Sequence, residues 1–231
     1  MEDLKRSYSS LAPTYDVARF SGRSGRFLYE TDRRIVCDAI ATAAPAKILD
    51  VPTGTGRVLD YLRNQPASIT GVDSTPEMLL QAARYARAGK DELLIGNAAA
   101  LAFEDDSFDC VVSLRFFHLF SRQERVPFAK EFCRVVRPGG YLLLSMTNGW
   151  YAGGINWLKQ YLGMRTVSFE YPGELSNLFR DWRTVRVEGN FLPFQSAASS
   201  VPVLGSLLRW SSRRFPLNHL CYERFYLLRK P

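Results

Sequence analysis

Histidine is almost missing from this chain: there are only His118 and His219. The four cysteines, Cys37, Cys110, Cys133 and Cys221, are far apart and include no CxxC pair. A Cys/His metal site is therefore not expected, and reduced thiols in a cytoplasmic protein are the simpler reading. No internal repeat or low-complexity tract is present, which argues against solenoids, propellers and disordered linkers. The first residues, "MEDLKRSYSS", are charged and lack the apolar core of a secretory signal. NPPY-like tetrapeptides are absent, and the basic residues are not interleaved with aromatics as in a base-stacking platform. A nucleic-acid partner is not expected.

What remains is an ordinarily globular composition: 231 residues, 46% hydrophobic and 23% charged. That length fits one large domain. The net charge of +7 implies only mild attraction to anions. Its distribution is uneven, because residues 196–231 carry Arg209, Arg213, Arg214, Arg224, Arg229 and Lys230 against Glu223 alone.

Strand and helix patterns alternate through the first two thirds of the chain. Leu28, Ile35, Val36, Ala39 and Ile40 recur at helical spacing within residues 24–43. "KILDV", "SITGVD", "ELLIGN", "FDCVVSL" and "YLLLSM" read as short buried strands. Between them, Thr75 and Pro76 form an N-cap and first-turn pair, opening a helix that should run to Gly89. "SRQE" at 121–124 is a capping box for a helix ending at "RPGG". "RTVRVEGNFLPF" and "ERFYLLRK" add two later strands. The expectation is an α/β fold, a doubly wound and mostly parallel sheet with helices on both faces and its ligand at the carboxyl ends of the strands.

The turn after the first strand, "DVPTGTGRVLDYL", sets a chemical question. A P-loop would need GxxxxGK[ST], and no such lysine is present there. A dinucleotide site would need glycine at position 59, which is Leu59. S-adenosylmethionine has no pyrophosphate; it needs a bare turn for its amino-acid end and an acid for its ribose. Asp50 ends the first strand and Asp73 ends the second, 23 residues on. Either acid alone could serve as a cap or a turn residue.

The ordered set "ILDVPTGTGR", "ITGVDSTPEML", "IGNAAALAFEDDSFDCVVS" and "RVVRPGGYLLLS" resembles the class I S-adenosylmethionine-dependent methyltransferases, in the style of the ubiquinone and menaquinone biosynthesis branch. The resemblance covers residues 10–148 and implies a Rossmann-like sheet of seven strands with S-adenosyl-L-methionine as cofactor. It implies that Asp50, Thr53, Gly54 and Gly56 hold the methionine moiety, with Asp73 on the ribose and Ser74 and Met78 beside it. Asn97 and Ala98 would meet the adenine, Leu114 and Arg115 would lie near the sulfonium, and Tyr15 of "YD" would cover the cofactor. Pro52 stands where a small residue is common and supplies no N–H. The segment after "YD" lacks the quinone enzymes' own signature.

His118 in "RFFHLF" is a candidate general base or a packed histidine, and Phe116, Phe117 and Phe120 are core or pocket residues. The expected layout is one methyltransferase domain over 1–231, with a helical cover at 1–44, a cofactor core at 45–148 and a lid-like insertion among strands at 149–231. The expected function is methyl transfer to a small, apolar acceptor such as a quinone, phenol or lipid. A non-catalytic binding protein of the same fold is the alternative. Residues 189–215, uncharged from Gly189 to Leu208 and then bearing Arg209, Arg213 and Arg214, are either a lid or a peripheral contact with the inner membrane surface.

Overall fold

A computed structural model describes residues 2–149, 170, 173–190 and 221–231. Three helices come first: α1 (Glu2–Leu11), α2 (Tyr15–Phe20) and α3 (Gly22–Ala43). β1 (Lys47–Asp50), α4 (Arg57–Tyr61), β2 (Ser68–Asp73), α5 (Pro76–Ala82), β3 (Glu92–Ile95) and β4 (Phe108–Ser113) come next. A 3-10 turn at Phe117–Leu119 leads into α6 (Arg122–Val135) and β5 (Val136–Thr147). α7 (Glu174–Leu178), β6 (Arg183–Asn190) and β7 (Glu223–Arg229) complete the described elements.

The seven strands form one sheet in the order β3-β2-β1-β4-β5-β7-β6. β1 to β5 pair in parallel, and β7 runs antiparallel between β5 and β6. The order reverses at β1, so the crevice between the ends of β1 and β4 is the switch point where such sheets bind ligands.

Side-chain alternation explains why both faces are covered. Leu49, Val111, Leu142 and Leu144 face the layer that holds α6, with Phe128 and Phe132. Ile48, Cys110, Val112 and Leu143 face the opposite layer, with Ile35, Val36 and Ala39 of α3 and Leu59 of α4. All four cysteines are free. Burial pushes the Cys110 thiol up to about 12.

Local expectations hold in most places, with one clear exception. The Ser121–Glu124 capping box forms, and Thr75 and Pro76 open α5. α5, however, ends at Ala82 rather than near Gly89. Arg87 is diverted: its backbone N–H and guanidinium bond Asp91, and the guanidinium also reaches the carbonyls of Arg63, Gln65 and Ala67. Those long-range bonds outcompete helix continuation. α6 ends at Val135, just before "RPGG" as expected, and those four residues enter β5, where Gly139 N–H and Gly140 O bond Pro231 O and Lys230 N–H. Within the run expected from Gly189 to 215, Gly189 and Asn190 close strand β6. The short helix expected at "VLGSLLRWSSRRF" lies outside the described residues, as does most of the lid-like insertion.

Candidate functional site

A cavity of about 320 Å³ opens at the carboxyl ends of β1, β2 and β4. The sheet supplies its floor, α1 and α2 supply one wall, and the turn before α6 supplies another. The sequence-predicted residues Tyr15, Asp50, Thr53, Gly54, Asp73, Ser74, Met78, Asn97, Ala98, Leu114 and Arg115 all line it. Two do not, Gly56 and His118.

The two glycines of the turn do different work. Gly54 has φ +55, and a Cβ there would meet nothing within 4 Å, so its bare face looks onto open space beside the cavity. Gly56 has φ +85, and a Cβ there would lie 2.8 Å from Ala82 Cα. Gly56 is therefore required for α5 to pack against the turn.

Asp73 shapes the same turn. Its carboxylate accepts the Gly54 N–H at 2.9 Å and the Thr75 N–H at 2.9 Å. The Thr75 hydroxyl and the Ser74 N–H are further donors to it. Asp50, buried to 1% exposure, accepts the Thr53 hydroxyl. Burial, with Asp73 nearby, pushes Asp50 up to about 7, against the pull of the Thr53 bond and Arg57. Burial likewise raises Asp73, opposed by its backbone N–H donors. Neither acid has a cation within salt-bridge distance among the described residues. Pro52 lines the cavity without an N–H, and the Thr53 N–H bonds Val72 O.

Asn97 Oδ1 accepts the Ala99 N–H at 2.9 Å, an Asx-type turn that leaves the amide NH₂ and one lone pair toward the cavity end. Arg115 lines the cavity and is also tied into the fold. Its backbone, at φ +52, is held by the Ser145 hydroxyl at 2.8 Å. Its guanidinium pairs with Asp32 at 2.5 Å and Glu223 at 2.8 Å. Those two acids compensate its charge.

His118 is not among the residues that line the cavity. In a 3-10 turn, residues three apart share a face. Phe116 and Leu119 point to the cavity, Phe117 is fully buried in the core, and His118 falls on another side. Phe116, Phe120 and Phe128 form the aromatic wall, with ring centroids 4.7–4.9 Å apart.

Several lining residues went unread in the sequence: Lys5 and Tyr8 of α1, Thr55 of the glycine turn, Arg57 and Phe128. Asp16, adjacent to Tyr15 in the "YD" pair, accepts the Thr55 hydroxyl at 2.7 Å. "YD" was the available signal for it. Lys5 and Tyr8 lie in a helix that no motif marks.

The site fits S-adenosyl-L-methionine on these grounds: a bare glycine at the turn, an acid at each of two strand ends, and an amide at the third. Comparisons agree. Residues 49–144 match the methyltransferase domain family. Demethylmenaquinone methyltransferase of Thermus thermophilus is 36% identical over 141 residues, 59% of this chain and 62% of that protein. Fatty-acid O-methyltransferase of Mycolicibacterium smegmatis is 31% identical over 143 residues, 56% of this chain and 52% of that protein. The matched stretch thus spans between half and two thirds of those relatives' length. Magnesium protoporphyrin IX methyltransferase from Synechocystis PCC 6803, solved with bound SAH, shares the fold over 100% of both chains, with a TM-score of 0.70 at 13% identity. Residues 49–144 thus resemble the methyltransferase domain family, the chain shares the fold of a solved methyltransferase, and ubiquinone and menaquinone methyltransferases are among the proteins it is similar to.

Proposed function

We propose that the protein transfers a methyl group from S-adenosyl-L-methionine to a small apolar acceptor. The observation that carries this reading is one continuous cavity that changes character along its length. One end has the glycine turn and two buried carboxylates, and the other has Leu119, Phe116, Phe120 and Phe128. Relatives named for demethylmenaquinone and for a fatty acid support an apolar acceptor.

The cofactor supplies a methyl group already activated by its sulfonium, so the protein has chiefly to align and to exclude water. In this reading Asp73 accepts the ribose hydroxyls while pinning Gly54, and Asp50 faces the cationic amino-acid end. Asn97 and Ala98 receive the adenine, with Met78 packed against it. Tyr8 and Tyr15 close over the top, and the phenylalanine wall takes the acceptor. His118 is not assigned a proton. Residues 1–231 act as one unit, consistent with β6 and β7 completing the same sheet as β1 to β5.

Among the described residues, no helix is long and apolar enough to cross a membrane. The uncharged run and its arginines at 209, 213 and 214 extend the reading to a cytoplasmic protein that touches an anionic membrane surface. Sedimentation with anionic vesicles at low salt should carry the protein down, and failure to do so would leave only a lid.

The decisive experiment is turnover of S-adenosylmethionine to S-adenosylhomocysteine with a panel of quinols, phenols and fatty acids. Product should form with an apolar member of the panel. Cofactor binding without turnover of any acceptor would favour the non-catalytic alternative.

A further inference from the structure

The first two helices are built as a separable piece. α2 has six residues and α1 has ten, both too short to be stable alone in water. Leu11 and Val17 are exposed, at 46% and 68%, while Ala12 and the packing of Phe20 against Tyr29 and Arg57 supply a small apolar anchor. The chain breaks direction between α2 and α3 at Gly22, with φ +75 and open space around it. Lys5, Tyr8 and Tyr15 nevertheless wall the cavity. Polar contacts add to that anchor. The Ser9 hydroxyl bonds Glu77 of α5. Asp16 makes two contacts at once: it accepts the Thr55 hydroxyl and pairs with the Arg84 guanidinium.

Thr55 is the residue between Gly54 and Gly56, and it is buried to 2%. A single carboxylate therefore ties the cover both to the turn that faces the cofactor and to the segment after α5. We propose that Asp16 is a positioning residue that latches the α1–α2 cover, hinged at Gly22, and that its release sets the rate of cofactor exchange. This rests on the S-adenosylmethionine reading of the cleft. Asp16 itself does not line the cavity, so its effect runs through Thr55 and through Tyr15, its neighbour in α2. Segments with few buried contacts open most readily, and most mutational changes in affinity appear in dissociation. The Asp16–Arg84 pair is partly exposed, so added salt should weaken the latch.

The test tracks labelled S-adenosylhomocysteine leaving the full-length protein under an excess of unlabelled ligand. Asp16→Ala and Thr55→Val should each speed release about tenfold, the loss expected for a hydrogen bond to a charged group. The double variant should be no faster than either single one, and Thr55→Ser should restore the slow rate. Hydrogen exchange on the ligand-free protein gives a second readout: α1 and α2 should exchange faster in both variants, while residues 35–40 of α3 stay protected. Unchanged release and exchange in folded Asp16→Ala would overturn the latch, as would effects that multiply in the double variant. If the unmodified protein bound no S-adenosylhomocysteine, the cofactor reading would fall instead, and the exchange arm would still report whether Asp16 holds the cover.

Discussion

Two sets of buried acids, handled in opposite ways, separate the binding end of this molecule from its structural end. Asp50 and Asp73 sit in the cavity and are met by neutral donors: a threonine hydroxyl and backbone N–H groups. Asp32 and Glu223 sit in a network that joins α3, the end of β4, β6 and β7, where Arg115 pairs with both and Asn190 donates to Asp32. Burial raises Asp32 too, but Arg115 pulls it back. Charge compensated from within serves the fold. Charge held only by neutral dipoles leaves room for a cation, and the cofactor brings one in its sulfonium and another in its amino group.

The strongest way to break that contrast is to remove the structural cation. Arg115→Met would leave buried Glu223 without this guanidinium, and buried Asp32 with Arg57 at 3.9 Å. Removing one partner of a buried pair costs about 3–5 kcal/mol. Urea unfolding should show that loss of stability, with the cofactor end intact in whatever fraction remains folded. A loss under about 1 kcal/mol, the scale of an exposed pair, would mean that the network contributes little to the fold.

The glycine pair sharpens the contrast at a single turn. Gly56→Val should destabilise by about 2–4 kcal/mol, because it forces a side chain into Ala82 at a left-handed φ. Gly54→Ala pays only the conformational strain of about 1–2 kcal/mol, but it should weaken cofactor binding at least tenfold. Calorimetry beside thermal melts distinguishes them. A Gly54→Ala protein that bound normally would remove Gly54 from the site.

How far the sequence carries these assignments depends on the range of the interactions. Strands β1 to β5, the two later strands and the capping box rest on local alternation and spacing, and they are legible. Asp50, Asp73 and Asn97 are legible as well, since each closes an apolar run just before small turn residues. Gly54 and Gly56 cannot be told apart by spacing, because the difference lies with Ala82, a residue from another helix. The ion pairs of Arg115 are not legible, because its partners, Asp32 and Glu223, lie in distant parts of the chain. The place of His118 is not legible for a different reason. In a three-residue turn one step of rotation decides which side chain faces the cavity, and no periodicity announces it. α5 reads as too long because Gly89 looks like its stop, while the true cause is Arg87 reaching back across the sheet edge.

Asp73 comes next in expected size. Asp73→Asn keeps the volume but turns one acceptor into a donor facing either Gly54 N–H or Thr75 N–H. Cofactor affinity should fall by about 1.5–3 kcal/mol, the range for hydrogen bonds to a charged group. The melting point should fall as well, since the same carboxylate pins the turn. Full retention of affinity in isothermal titration would leave Asp73 as a turn residue only.

The smallest effect is the most specific to the neutral-donor end. With its pKa near 7 in the ligand-free protein, Asp50 holds a proton that the unfolded chain has already lost above about pH 4. The folded state therefore binds more protons between those values, and its stability should decline as pH rises from about 4 to about 7. Binding runs the other way. A cationic ligand beside Asp50 favours the carboxylate, so cofactor binding below about pH 7 must release a proton, and affinity should rise with pH and level off above that value. Between about pH 6 and about pH 8 the gain should be about tenfold, or ~1.4 kcal/mol. Titrations in buffers of different ionisation enthalpy would count the released proton directly. Asp50→Asn should abolish both slopes. Burial raises Asp73 in the same direction, so a residual slope in Asp50→Asn that disappears in the double variant would assign the remainder to Asp73. If affinity in the unmodified protein were flat across that pH range, Asp50 would already be ionised without its ligand, and the two sets of acids would differ less than their partners suggest.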